Sequence, residues 1–145
     1  MLNFQYFVIL FVSLWLNGVI FAKGELEIRI ASKDEIDDAR NILYKVYVEE
    51  QGWTPKNDPT NIQVKRDEQN RPIVTNDYDS TSVTWIAYVD SRPVGTIRLS
   101  SQIDGTFEVE HYQKLPPLLS GMKFGAKERM KEVNRLAVID KFRTN

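Results

Sequence analysis

The sequence predicts a single α+β domain, because three patterns follow one another after residue 24 of the 145-residue chain. Apolar and charged residues alternate over residues 25–30, as in a half-buried strand. Apolar residues then recur at helical spacing from Ile36 to Tyr47. Two strand-like runs, 83–89 and 94–99, are joined by a short turn and predict a β-hairpin. The length fits one domain.

Composition and charge exclude several classes of function. The net charge is −1 and there is no basic run, so we expect no nucleic-acid partner. The chain has no cysteine, which excludes disulfides, thiolate nucleophiles and cysteine-based zinc sites. Its single histidine, His111, cannot build a histidine-rich metal site. We therefore expect no bound metal.

The first 23 residues form a separate apolar segment. No charged residue occurs from Phe4 to Ala22, and about 17–25 apolar residues span a membrane as a helix. The small residue Ala22 before Lys23 is also typical of a secretory signal. Since no periodicity gives the segment two faces, a membrane anchor or a signal is favoured over a core helix. Both alternatives stay open: a membrane-associated protein with a cytoplasmic domain, or a secreted one. The domain itself is expected over residues 24–145.

The remaining elements follow from local signals. Ser32 and Glu35 form a capping-box pattern at the start of the helix, and Gly52 is expected to end it. Three prolines in 54–75 predict a long surface loop. The run 132–138 is short, apolar in its second half and rich in β-branched residues, which predicts a buried strand, and the connection before it is irregular.

Three stretches carry a family resemblance in the family's order. They are Val-Tyr-Val-Glu-Glu-Gln-Gly-Trp (46–53), Val-Gly-Thr-Ile-Arg-Leu (94–99) and Glu-Val-Asn-Arg-Leu-Ala-Val (132–138), which is followed by Lys-Phe-Arg at 141–143. Together they resemble the GNAT acyltransferase superfamily. The similarity is greatest to the branch of acyl-homoserine-lactone (autoinducer) synthases and N-acyl amino acid synthases, and it covers about 25–143.

The resemblance implies a fold and a reaction. The fold is a mixed, mainly antiparallel sheet with flanking helices, here preceded by an apolar N-terminal helix. The reaction is the transfer of an acyl group to the amine of a small molecule, such as an amino acid derivative. Acyl-CoA or acyl carrier protein would be the co-substrate, and no permanently bound cofactor is implied.

The resemblance also assigns roles to particular residues. Glu132 takes the place of the family's acid and would accept the proton of the amine. Residues implied in the substrate pocket are Tyr47, Trp53, Asp79, Arg98 and Arg135; those implied in holding the acyl donor are the backbone of Leu136, Ala137 and Val138, together with Arg143. The chain departs from the family at Leu43, where an arginine is usual, and at Asn76, where a first acid is usual.

Each of these residues also has a purely structural interpretation. Tyr47 and Trp53 could close the core, and Asp79 could belong to a turn. Glu132 and Arg135 have opposite parity in a strand, so they can face one site only if a bulge lies between or beside them. Otherwise Glu132 would be exposed and Arg135 paired with another acid.

The family's glycine-rich turn and the helix after it do not occur before Asn145. We therefore expect an N-terminal piece of an acyltransferase, incomplete at the C-terminus, with weak carrier binding and low or no turnover. The alternative is a catalytically inactive binding or interaction module tethered to a membrane.

Overall fold

The computed structural model describes residues 25–114 and 129–143, and in these ranges the fold is α+β with antiparallel sheets, as predicted. The elements in chain order are β1 (Leu26–Ile30), α1 (Ile36–Leu43), β2 (Gln63–Arg66), β3 (Pro72–Thr75), β4 (Ser82–Val89), β5 (Arg92–Ser100) and β6 (Glu132–Val138). The predicted apolar segment 1–23 and residues 115–128 of the connection before β6 lie outside the described residues. Within the described ranges, no helix is both long and apolar enough to cross a membrane.

The larger sheet has four strands in the order β1-β4-β5-β6, and each neighbouring pair is antiparallel. The predicted hairpin is confirmed as β4 and β5. Its two linking residues, Asp90 and Ser91, have φ values of +50° and +60°. Positive φ at both positions is typical of the two-residue turn whose twist matches the flanking strands.

The predicted helix begins and ends where its signals are. The carboxylate of Glu35 accepts hydrogen bonds from the backbone N–H of Ser32 (2.9 Å) and from its hydroxyl (2.8 Å), so the capping box is present. A 3₁₀ turn over 33–35 leads into α1, and Gly52 follows the last turn with φ +67°. The last seven residues, Tyr44–Glu50, form a π-helical segment that the sequence pattern did not predict. Such wide turns are rare and occur frequently at functional sites.

The core lies between α1 and one face of the large sheet. Ile42 and Val46 pack there with Ile86, Tyr88 and Ala137, all of them buried. The prediction of a strand at β1 is correct, but its apolar side chains lie on the other face of the sheet. Ile28 and Ile30 are exposed, whereas Arg29 on the inner face lies over the ring of Tyr88 at 4.9 Å from its centroid.

The prediction of a long surface loop over 54–75 was wrong, because this region contains a second sheet formed by β2 and β3. Pro72 is the first residue of β3 and pairs with Arg66, a position where proline is tolerated. Ile73 and Val74 of the same strand are buried. Proline content alone was therefore a poor guide, since the proline stands at a strand boundary.

Strand β6 has the predicted bounds, but the expectation of a buried strand was wrong. Among the described residues it pairs only with β5 and forms an edge of the sheet. Val133 and Leu136 are exposed, and Ala137 is its buried residue. The apolar residues of β6 are therefore divided between the two faces, and only one of these faces is packed against α1.

Candidate functional site

A buried network of charged side chains lies beneath β6. Arg98 of β5 is 4% exposed, and its guanidinium donates to the carboxylates of Asp79 and Glu108. The same group donates to the side-chain oxygens of Asn134 (2.9 Å) and Asn76 (2.7 Å). As the sequence predicted, Arg98 faces away from Ile97 and Leu99. It also meets Asp79, the acid that the family resemblance placed beside it.

Glu108 is the centre of this network and is itself 4% exposed. Its Oε1 accepts from Asn76 Nδ2 (2.7 Å) and from Arg135 Nη2, and its Oε2 accepts from Asn134 Nδ2 (2.7 Å) and from Arg98 Nη2. Each oxygen therefore receives two donors. A buried carboxylate is costly unless it is paired and hydrogen-bonded, and here both conditions are met.

Strand β6 contains a bulge. A bulge is the condition under which Glu132 and Arg135, three positions apart, can face the same site. Thr96 pairs with Ala137 while Arg98 pairs with Asn134, so β6 contains one residue more than β5 in this interval. Arg135 stands in the irregularity with φ +53°, in the left-handed region that non-glycine residues rarely adopt. The bulge turns its side chain inward to Glu108.

An open cavity of about 520 Å³ lies against this bulge. Its lining includes four of the predicted site residues, Tyr47, Trp53, Glu132 and Arg135. The rings of Tyr47 and Trp53 meet edge to face, with centroids 6.2 Å apart and planes at 77°. Both rings also pack against the core, as the structural interpretation of these two aromatics predicted.

The hydroxyl of Tyr47 connects the π-helical segment to the bulge. It donates to the backbone carbonyl of Leu136 at 3.2 Å, a contact between residues 89 positions apart. Burial raises the pKa of Tyr47, so the phenol keeps the proton that it donates. The π-helical turn and the bulge are thus fixed relative to each other at the wall of the cavity.

Glu132 and two further oxygen-bearing side chains of the same cavity, Asp58 and Tyr112, take part in hydrogen bonds. Oε2 of half-buried Glu132 accepts from the backbone N–H of Val109 at 3.3 Å. Asp58 accepts from the N–H (2.9 Å) and hydroxyl (2.7 Å) of Thr60 and from the hydroxyl of Tyr112 (2.8 Å). Burial opposes ionisation of Asp58, but these hydrogen bonds outweigh it and lower its pKa. Burial raises the pKa of Tyr112 to about 12. The cavity wall therefore carries a carboxylate, Asp58, whose hydrogen bonds favour its ionised form.

Asp79 and Arg98 line a second cavity, of about 720 Å³, between α1 and the inner face of the sheet. Asp79 is also paired there with Arg40 of α1 at 3.1 Å. Arg135 lines both cavities. Three of the five predicted substrate residues, Asp79, Arg98 and Arg135, are therefore joined by one ion-pair network, but the five do not share one cavity.

The residues predicted for the acyl donor are divided. Ala137 and Val138 pair with Thr96 and Gly95 of β5 directly after the bulge, and Leu136 is exposed beside it. Arg143 instead forms ion pairs with Glu50 and with Asp140 (3.1 Å), and it is not among the residues that line either cavity.

Residues 25–114 and 129–143 hold no group of three or more His, Cys, Asp or Glu side chains that could bind a metal ion. The single histidine, His111, has its Nε2 3.0 Å from the hydroxyl of Tyr78. No protein-family model matches the chain, and no curated protein or solved structure matches it either. The interpretation of the site therefore depends on its residues and their geometry.

Sequence reasoning missed the residue at the centre of the network. Glu108 lies in a Phe-Glu-Val-Glu run in which Glu110 looks equivalent, and no local signal distinguishes the two acids. It also missed Asp58 and Tyr112, which stand in the regions assigned to irregular structure. A signal did exist at Asn134. A polar residue beside Arg135 in an otherwise apolar strand needs a hydrogen-bond partner if it is buried.

Proposed function

We propose that the domain is an N-acyltransferase of the GNAT type, which moves an acyl group from acyl-CoA or an acyl carrier protein to the amine of a small molecule. One observation carries the proposal. Glu132, Tyr47, Trp53 and Arg135, which the motifs assigned to the site, line one cavity beside a bulge in β6.

The proposed reaction needs a base, a polarised carbonyl and alignment of the two substrates. The neutral amine attacks the thioester carbonyl, a C–N bond forms, the C–S bond breaks, and the thiol leaves with a proton. Glu132 accepts the proton of the amine, either directly or through a water molecule. Backbone N–H groups next to the bulge, from Leu136 to Val138, are the proposed donors to the carbonyl oxygen.

The surrounding residues position these groups. The edge-to-face rings of Tyr47 and Trp53 would form an apolar wall for the substrate. Arg135 is already paired with Glu108, so its proposed role is to hold the bulge open rather than to bind a free anion. Asp79 and Arg98 support this arrangement from the second cavity.

The test is release of free thiol from acyl-CoA donors of short and long chain length, in the presence of a panel of small amines. The chain has no cysteine, so a thiol-reactive dye reports product without background from the protein. Glu132→Gln is expected to lower the rate by roughly 10²–10⁴-fold, the usual contribution of a general base. Glu49→Gln, the same substitution at an exposed residue on the π-helical segment, is the matched control. A rate unchanged by Glu132→Gln would remove the general-base role.

A binding module without turnover is the second candidate, and one observation favours it. The charges of Arg98, Glu108 and Arg135 are satisfied by one another, which leaves the network complete without a ligand. In this case no thiol would be released with any donor, while small amines would still change the fluorescence of the tryptophan in the cavity wall. Thioester release by the wild-type chain that is lost in Glu132→Gln would exclude this candidate.

A further inference from the structure

The face of the large sheet that points away from α1 is apolar; Ile97 at its centre is buried, and several of the side chains around it are exposed. Six of its residues define it here as the outer face: Ile28, Ile30, Val83, Trp85, Leu99 and Val133. The register pairs Ile30 with Trp85, and Val83 with Leu99 and then Val133, so these side chains form a continuous surface across four strands. Ile28, Ile30, Val83 and Val133 are 38%, 52%, 44% and 51% exposed. Contiguous apolar patches on domain surfaces are often functional.

We propose that the outer face docks onto a lipid bilayer with anionic headgroups. None of its six residues is charged, which suits contact with acyl chains. Cationic side chains stand at its two ends: Arg92 is exposed and opposite Val89 in the register, and Lys131 precedes β6 with its Nζ bonded to the hydroxyl of Ser101. An apolar centre bordered by cations is the pattern of surfaces that bind anionic membranes.

The position of the outer face along the chain supports this occupant. The uncharged run from Phe4 to Ala22 ends four residues before Leu26, the first residue of β1. Four residues span at most about 14 Å. A bilayer that takes up this run would therefore lie close to Ile28 and Ile30.

A second copy of the chain fits the outer face less well. Stable protein interfaces bury about 800 Å² on each partner. Four aliphatic side chains that are about half exposed offer only on the order of 300 Å². The apolar area is therefore small for a dimer, whereas stable binding to a membrane can combine two weak contacts.

The experiment uses the full chain and the tryptophan on the outer face as the probe. Trp15→Phe combined with Trp53→Phe leaves Trp85 as the single fluorophore. Vesicles of phosphatidylcholine and phosphatidylglycerol with brominated acyl chains are expected to quench Trp85. Ile30→Glu and Val133→Glu are each expected to reduce partition into these vesicles about tenfold, because each places a negative charge against an anionic surface.

The matched control is Val64→Glu. Val64 is 43% exposed, similar to the outer-face residues, but it belongs to β2 in the other sheet. It is expected to leave vesicle partition unchanged. Circular dichroism checks the fold of each variant, and the two outer-face substitutions on different strands provide independent tests if one of them unfolds.

Three results would overturn the proposal. Vesicle-bound chain in which Trp85 is not quenched would mean that the N-terminal run binds lipid without the outer face. If Val133→Glu and Val64→Glu reduce vesicle partition equally, the loss would be explained by repulsion between any added negative charge and the anionic vesicles, without a role for the outer face. A dimer in sedimentation velocity that Val133→Glu dissociates would assign the outer face to a second copy of the chain.

Discussion

Replacement of Glu108 by glutamine is expected to remove a large part of the stability of the domain. The carboxylate accepts four hydrogen bonds, two at each oxygen, from Arg98, Arg135, Asn76 and Asn134. A glutamine side chain offers one acceptor oxygen and one NH₂ group. Whichever way the amide is oriented, its NH₂ group faces two donors, and both buried arginines lose their shared counter-charge.

The magnitude follows from the burial of this network. Glu108 and Arg98 are each 4% exposed, so water cannot replace the lost partner. Breaking a buried ion pair by removing one charge costs about 3–5 kcal/mol. Total stabilities of natural domains are about 5–15 kcal/mol, and 1 kcal/mol corresponds to roughly 2–4 °C in Tm for a chain of about 150 residues. Glu108→Gln is therefore expected to lower the Tm by roughly 6–20 °C.

The assay is urea unfolding followed by circular dichroism, together with a thermal scan. Glu49→Gln makes the same chemical change at an exposed site and should change the free energy of unfolding by less than about 0.5 kcal/mol. Glu108→Gln with the same urea midpoint as wild type would show that the ion-pair network contributes nothing to stability. The description of Glu108 as the centre of the site would then be refuted.

Three further substitutions test the elements around the network. Tyr47→Phe removes the hydrogen bond to Leu136 and is expected to lower the free energy of unfolding by about 1 kcal/mol, measured by urea titration against wild type. Gly52→Ala places a side chain at φ +67° in open space, so backbone strain alone should cost about 1 kcal/mol in the same assay. The hydrogen bonds from Arg29 lower the pKa of Glu35 below its usual 4.5, so the stability from this pair is present above about pH 4.5 and is lost as the pH falls. The stability difference between wild type and Glu35→Gln should therefore shrink between pH 6 and pH 3, and a difference that grows on acidification would contradict this pairing.

The elements that local patterns specify were predictable from the sequence. The hairpin of β4 and β5, the capped helix and the bounds of β6 follow from periodicity and from turn and cap residues. The side of a strand that is buried was less predictable. The alternation at β1 identified the strand, but the face that packs against α1 carries Arg29, whose guanidinium is held by Glu35 and by the ring of Tyr88. A charge can lie on the inner face when an acid and an aromatic ring are brought to it from elsewhere in the chain.

The candidate site could be predicted only in part, for a similar physical reason. The family resemblance pointed to Glu132, Tyr47 and Trp53, and the structure brings them to one cavity. The acid that joins Arg98 to Arg135, Glu108, is contributed by a short 3₁₀ turn whose position depends on tertiary packing. Its partner Arg135 is 27 residues away in sequence, and no local periodicity reports such a pairing.

The bulge of β6 and the ion-pair network depend on each other. A left-handed conformation costs a non-glycine residue about 1–2 kcal/mol, so Arg135 at φ +53° needs compensation from the surrounding structure. Its ion pair with Glu108 supplies this compensation, since the guanidinium reaches the buried carboxylate from the bulge. The same bulge allows Glu132 and Arg135, three positions apart, to line one cavity. The placement of the proposed base therefore depends on Glu108, a residue that need not contact the reacting atoms. Loss of Glu108 should therefore destabilise the fold and also displace Glu132. The unfolding assay of Glu108→Gln measures how much the ion-pair network that supports the bulge contributes to stability.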